Sequence, residues 1–313
     1  MTPPLPPLPF PEWEATKDTL HLWVQIVGKV KMAFAPPRNH WWHVPLYVDV
    51  RGLTTRLLHS ADGTGFEIRF DFADHRLVVE TASAVESFAL EDGLSVAGFG
   101  EQLHAALGRL GLDFPIVEKP FGVPMTTPFP DDREHASYDA EAVERFWRVL
   151  DWSAGVLEEF SGWFCGKQSP VHLFWHSFDL ALTRFSGQRA PALPDADPVT
   201  REAYSGEAVS FGFWAGDQNV REPSYYSYTA PEPPGLRGRP LSPDQAFWTE
   251  QGAGSLAILR YEDVRTVADP RATLLAFLES TYEAGAEAAG WDRSELASSW
   301  CPKPAQLSNL LSA

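Results

Sequence analysis

Cysteine is nearly absent: Cys165 and Cys301 are the only two in 313 residues. That excludes a disulfide framework and a multi-cysteine zinc module. Basic residues are also scarce, 25 Lys and Arg against 42 Asp and Glu, for a net charge of −17. Such a field repels a phosphate backbone and an anionic bilayer alike, so no nucleic-acid partner and no membrane partner is expected. No apolar run reaches the roughly eighteen residues that a transmembrane helix needs. Residues 1–11 are proline-rich and lack the basic and apolar regions of a signal peptide. A cytoplasmic address is the expectation. Walker A, strand-linked Gly-x-Gly-x-x-Gly, His-Glu-x-x-His and Gly-x-Ser-x-Gly strings are all missing, so no motif names a reaction.

Two residue types are abundant instead, with 27 prolines and 12 tryptophans. Each proline fixes φ and removes a backbone donor, which implies many stiff connections. The tryptophans imply a large aromatic core or an aromatic-lined pocket. Apolar residues make up 44% and charged residues 21%, a globular balance. The length exceeds the usual single domain, so two domains or two packed halves are expected.

After a proline-rich arm over residues 1–12, residues 13–34 read as a helix, with Thr16 or Asp18 as the expected cap. Leu20, Trp23, Val24, Val27, Val30 and Phe34 form one apolar face, and Leu22 and Ile26 point elsewhere. A helix apolar on most sides is buried, and its polar stripe His21, Gln25 and Lys29 then needs partners. Strands are expected at 43–50, 53–58, 65–72 and 76–81. In the third, Phe66, Ile68, Phe70 and Phe72 alternate with Glu67, Arg69 and Asp71, the pattern of a sheet with one buried face. A helix over 94–110 closes the first half, and residues 129–135 read as a polar link.

The order then begins again: a helix at 138–164, strands at 171–185, 208–214, 224–229 and 255–259, and a helix at 270–289 that opens on Pro270 and stops at Gly290. The expected fold is therefore α+β. It comprises two similar halves, 13–125 and 126–313, each helix, antiparallel strands, helix, packed as a pseudo-duplicated unit. Trp42-His43 in one half and Trp175-His176 in the other support the parallel.

Candidate chemistry comes from clusters. His40 and His43 lie three residues apart, and His172 and His176 four apart with Asp179 following. In a strand, His172 and His176 share a face but are separated by about 13 Å, too far for one ion. A metal site then requires one histidine from each half, His43 and His176, with His21 or a carboxylate. Imidazole and carboxylate ligands suit zinc, iron or manganese, so a divalent metal is the cofactor to test for. The plainer expectation is that these histidines hydrogen-bond within an aromatic core. Tyr226 and Tyr228 share one strand face, offering rings to pack a ligand and hydroxyls to orient it, although tyrosine is also common on half-exposed sheets. The loop after them contains Glu232 between prolines. Lys29 offers an anion-binding ammonium or, desolvated, a base; against that, a lysine stem often packs while its head reaches water. Cys165, beside Trp163 and Phe164, reads as packing.

Four strings carry a resemblance: residues 19–30 (TLHLWVQIVGKV), 40–47 (HWWHVPLY), 174–181 (FWHSFDLA) and 226–233 (YSYTAPEP). They are similar to signature strings of an uncharacterised bacterial family with a domain of unknown function. The resemblance covers nearly the whole chain and implies no catalytic role. The functional expectation from the residues is a small-molecule-binding protein, or an enzyme of unassigned reaction, with a cleft between the halves. His43, His176 and Lys29 are its catalytic candidates. His21, Gln25, Trp42, Trp175, Asp179, Tyr226 and Tyr228 are its lining. The alternative is a non-catalytic protein-interaction module with an exposed aromatic surface.

Overall fold

Pro9 and Pro11 start the first helix in a computed structural model of the chain, which describes residues 5–112, 114–251 and 254–298. Helix α1 (Phe10–Phe34) has Pro9 at its N-cap and no side-chain cap. Thr16 and Asp18, the expected caps, therefore lie inside the helix. Pro11 has its φ preset for a first turn, Glu12 complements the helix dipole there, and Leu8 and Phe10 are buried anchors. Every residue from Thr19 to Lys31 is buried, polar stripe included.

The first sheet comprises β1 (Tyr47–Asp49), β2 (Gly52–Thr54), β3 (Leu58–His59), β4 (Gly65–Asp71), β5 (Arg76–Thr81) and β6 (Val85–Ala89). Its order is β1-β2-β4-β5-β6, with β3 also pairing β4. Alternation along β4 turns Phe66, Ile68 and Phe70 inward, and Ile68 and Phe70 face Val79 and Leu77 of β5 in antiparallel register. Helix α2 (Val96–Arg109), capped by Ser95 accepting from the Gly98 N–H, lays Phe99 parallel to Phe70 at 5.9 Å. On its other side Phe99 stacks on Trp23 of α1 at 5.1 Å.

Further along come α3 (Ala140–Ser161), β7 (His172–Phe174), β8 (Asp179–Arg189), α4 (Pro198–Ala203), β9 (Gly206–Trp214) and β10 (Ser224–Ala230). The described chain ends with β11 (Phe247–Gln251), β12 (Gly254–Arg260), α5 (Tyr261–Arg265), α6 (Pro270–Ala288) and α7 (Arg293–Leu296). The second sheet has the order β11-β12-β10-β9-β8-β7. The protein is thus mixed α+β with two antiparallel six-stranded sheets. Near one edge the second sheet departs from chain order, because β12 lies between β10 and β11.

Two compact units result. The described residues up to Asp151, with His172–Leu180 and Ala215–Pro223, form the first; Trp152–Val171, Ala181–Trp214 and the described residues from Ser224 form the second. This division follows packing and is discontinuous in sequence, unlike the expected division at 125/126. In the second unit, Arg184 is 2% exposed, with its guanidinium 3.6 Å from the Phe160 ring and 4.6 Å from Tyr282. It donates to the Phe160 carbonyl. Asp269 caps α6, and Gly290 takes positive φ just past its end, as its sequence predicts.

Three expectations change. Residues 39–41 form a 3-10 turn with His40 and Trp41 at positive φ, so Trp42-His43 precedes the first strand instead of opening it. The expected strand over 171–185 is broken by a turn at 175–178, where the Phe178 N–H donates to the Phe174 carbonyl and Phe178 takes φ 59°. The polar link at 129–135 is an ordered corner, in which buried Asp132 accepts from the Glu134 and His135 N–H groups.

Gly28 supplies a direct test of the packing. A Cβ built there falls 2.3 Å from Cγ of Trp175, a ring that is itself buried. Gly28→Ala improves helix propensity by up to about 1 kcal/mol, yet overpacking of this kind costs about 1–3 kcal/mol or more. Urea denaturation is expected to show a net loss of about 2 kcal/mol. A variant as stable as the wild type would contradict the contact.

Candidate functional site

The polar stripe of α1 is spent unevenly. Gln25 holds the backbone of Phe121 from both sides: its amide donates to the Phe121 carbonyl at 2.9 Å and accepts from the Phe121 N–H at 2.8 Å. His21 is 3.0 Å from the Trp175 carbonyl through Nε2 and stacks on Phe178 at 4.9 Å. Burial holds its imidazole down to about 3, so it is neutral at physiological pH. These two side chains fasten other segments onto α1. Lys29 differs. Its ammonium sits 5.5 Å from the Trp175 ring and 6.0 Å from Phe129, and among the described residues no carboxylate pairs with it. Burial lowers its pKa.

The turn after β7 faces this stripe. Trp175 packs on Gly28, and Phe121 stands edge-on to both Trp175 (6.5 Å) and His176 (6.1 Å). Burial lowers the pKa of His176, and the charge of Asp179 opposes the shift. Asp179 accepts from the Ser177 hydroxyl. His21, Gln25, Lys29, Trp175, His176 and Asp179 therefore lie in one compact unit, although sequence order assigns them to two halves.

His43 and Trp42 belong to a different neighbourhood of that unit. His43 accepts from the Arg38 N–H at Nδ1 (3.2 Å) and stacks on Trp41. Burial lowers its pKa, with Lys31 and Arg38 contributing. Trp42 lies 5.1 Å from His40. Among the described residues no three His, Cys, Asp or Glu side chains are grouped to hold a metal ion, so His21, His43 and His176 do not form the expected common metal centre. The cause is local: the turn at 39–41 directs His43 toward Arg38 and Lys31, while His21 is bonded to the Trp175 carbonyl.

Tyr226 and Tyr228 stack at 6.2 Å on the second sheet, and Tyr228 meets the Tyr204 hydroxyl at 3.2 Å. Tyr226 packs with Leu256 and Ile258, flanked by Trp214. Glu232 is engaged by Ser255, whose hydroxyl donates to it at 2.8 Å. Cys165 is exposed, contrary to the packing expected of it, and its thiol lies 3.1 Å from the Glu295 carbonyl. Cys301 lies outside the described residues.

A cavity of about 210 Å³ opens beside the stripe, lined among others by Ile26 of α1, Ala97, Gly100 and His104 of α2, Glu118 and Phe129. Phe129 is the ring that Lys29 also approaches. The walls are mostly apolar, although Glu101, His104 and Glu118 also line the cavity, with His104 and Glu118 3.5 Å apart.

A family model described as a family of unknown function, DUF5996, matches residues 5–298. The chain belongs to this family. No curated protein and no solved structure matches it. DUF5996 membership assigns no reaction, so the roles of these residues rest on their own geometry. No helix among the described residues is long and apolar enough to cross a membrane.

Sequence reasoning missed several residues that this DUF5996 chain places with the candidates. Phe121 and Phe129 lie in proline-rich stretches with no helical or strand period, and Lys31 lies outside the i, i+4, i+8 stripe. His172 was visible only as half of a pair. It is fully buried, and among the described residues neither ring nitrogen has a hydrogen-bond partner. Burial holds it, like His21, down to about 3.

A pH dependence follows. Both imidazoles titrate near 6.5 when ordinary and near 3 when folded, so the unfolded chain binds more protons between those values. Their stabilisation is complete above pH 6.5 and is lost as pH falls toward 3. Together they are expected to cost about 4 kcal/mol between roughly pH 7.5 and pH 5. Urea denaturation at the two pH values measures it, and equal stability would show that these rings are not held neutral.

Proposed function

We propose that the protein binds a small molecule on the α1 face between Ile26 and Lys29, with the ligand's apolar body in the Phe129-walled cavity and a polar or anionic group toward the Lys29 ammonium. The observation that carries this reading is the state of Lys29: buried, close to two aromatic rings, and given no carboxylate among the described residues. Ring faces return only about 0.5–2 kcal/mol to a cation, less than a buried ammonium loses with its water. An anionic ligand group makes up the difference. The cavity's apolar lining supports a compact apolar body.

If the bound molecule is transformed, His176 is the acid/base. Its imidazole is kept neutral by burial, and Asp179 steadies the cationic form it adopts on taking a proton. His21 and Gln25 position the turn and the Phe121 segment, and Trp175 forms the wall against α1.

A second reading, a non-catalytic interaction module, has one observation in its favour: Phe247 is 39% exposed on the strand next to the Tyr226, Leu256 and Ile258 cluster.

Gly100 is the site for a decisive variant, because a Cβ there meets only Ile26 at 3.8 Å and a larger side chain fills the cavity. In a ligand-observed NMR screen of small carboxylates and phosphates with apolar bodies, hits are expected on the wild type. They weaken at least about tenfold in Gly100→Leu and in Lys29→Met. Hits indifferent to both variants, or an empty screen, would sink the reading; an empty screen with Phe247-dependent partner capture would favour the second.

A further inference from the structure

A second cationic cluster in the first unit has no role in that site. Tyr47 opens β1, and its ring carries two cations. The Lys31 ammonium is 4.6 Å from the ring centroid and the Arg56 guanidinium 3.5 Å. Lys31 is 4% exposed and spends one donor on the Pro45 carbonyl. An ammonium has three donors, so two remain. Arg38 stands close enough, with Arg56, to bear on the charge of Lys31. Among the described residues none of these three cations has a carboxylate partner. In the same unit Arg51, Arg69, Arg76 and Arg109 each hold one. In a chain of net charge −17, three neighbouring cations left without an acid need an explanation.

Two further observations point the same way. Arg56 sits at φ 58°, a left-handed conformation that is costly for a non-glycine residue. Its backbone is pinned there, with its N–H donating to the Thr54 hydroxyl at 2.7 Å and its carbonyl accepting from Thr55 at 2.8 Å. The strained backbone holds the guanidinium on the Tyr47 ring. Beneath lies His172, with its ring edge-on to Tyr47 at 6.2 Å, completely buried and, among the described residues, unbonded at both nitrogens. Leu46 and Leu173 exchange backbone hydrogen bonds at 2.9 and 2.8 Å, which fixes β7 beside the start of β1.

We propose that Lys31 and Arg56 on the Tyr47 ring, over His172 and with Arg38 nearby, form a binding site for a dianionic phosphoryl group. Two guanidiniums and an ammonium match a dianion better than the single charge of a carboxylate. A guanidinium fork also fits phosphate oxygens two at a time. Arg38 and Arg56 are exposed while Lys31 is buried, so the phosphoryl group enters from the surface and meets Lys31 at the bottom. The titratable and charged groups facing Lys31 are Arg38 and His43 from the 35–46 loop, Tyr47 of β1, Arg56 and His172 of β7. Burial and the two guanidiniums hold Lys31 down to about 7, so the arriving dianion draws a proton onto it. This site is separate from the Lys29 face, since Lys31 projects to Pro45 and Tyr47 while Lys29 meets Trp175 and Phe129.

The test is isothermal titration of the full chain near neutral pH and low salt, with inorganic phosphate as probe and acetate at equal ionic strength as control. Saturable phosphate binding is expected, with acetate at least about tenfold weaker. Heats in two buffers of different ionisation enthalpy should reveal proton uptake. Arg56→Gln changes an exposed side chain and leaves the fold intact by circular dichroism, and with Lys31→Met it is expected to weaken phosphate at least about tenfold. No saturable phosphate heat, acetate binding as tightly as phosphate, or Arg56→Gln binding like the wild type would each overturn the proposal. To separate free phosphate from a phosphorylated metabolite, simple phosphate monoesters are titrated against the same variants. Tighter binding of a monoester that is lost in Arg56→Gln supports the metabolite; tighter binding that survives in Arg56→Gln places the monoester elsewhere and counts against the site.

Discussion

The contact between Gly28 and the Trp175 indole is the constraint on which the first unit depends. A helix buried from Thr19 to Lys31 has no solvent side on which to place a large ring, so the ring must lie where the helix has no Cβ. With Trp175 seated there, the turn at 175–178 is drawn over α1. His21 reaches its carbonyl, and Phe178 stacks on His21 and on Phe146 of α3 at 5.1 Å. A residue without a side chain thereby determines where a histidine, a tryptophan and a phenylalanine meet.

Burying a polar stripe is costly unless each member is satisfied. Gln25 is answered by a backbone amide and carbonyl; His21 is answered by a carbonyl at Nε2 and a low proton affinity, while its buried Nδ1 has no partner among the described residues. Among the described residues Lys29 is answered only by ring faces. The same contrast recurs two residues along α1, where Lys31 meets a carbonyl and a tyrosine ring but, among the described residues, no acid. In the second unit Arg184 is likewise enclosed by aromatic rings, though it also donates to the Phe160 carbonyl. Aromatic faces are this protein's usual companion for a buried cation, which gives its tryptophan and phenylalanine content a use beyond packing.

Much of the fold was legible because its periods are clean. The all-round apolarity of α1, the alternation of β4, and Pro270 with Gly290 around α6 each correspond to an element with nearly the expected bounds. The edge strands β6 and β11 were not read. In β6 the outward residues Val85, Ser87 and Ala89 are exposed and give no sign of a sheet face. The turn at 175–178 was hidden for a different reason. From Val171 to Ser186 the sequence contains no glycine or proline, and the positive φ falls on Phe178, a residue that local rules place in strands. With that turn went the geometry of the site, since a continuous strand holds His172 and His176 on one face and gives Trp175 no route to Gly28. The α1 stripe, by contrast, was readable as three polar residues needing partners, and each partner then came from a segment without periodic pattern.

On α1, Lys29 is a desolvated ammonium with no acid beside it among the described residues. Following the Lys29 Cε resonance by carbon-13 NMR through a pH titration, with assignment from Lys29→Arg, measures this directly. Lys29 is expected to lose its proton below the exposed lysines. A Lys29 resonance that titrates together with them would mean that the ammonium reaches bulk water, and the stripe would then be an ordinary packed helix face.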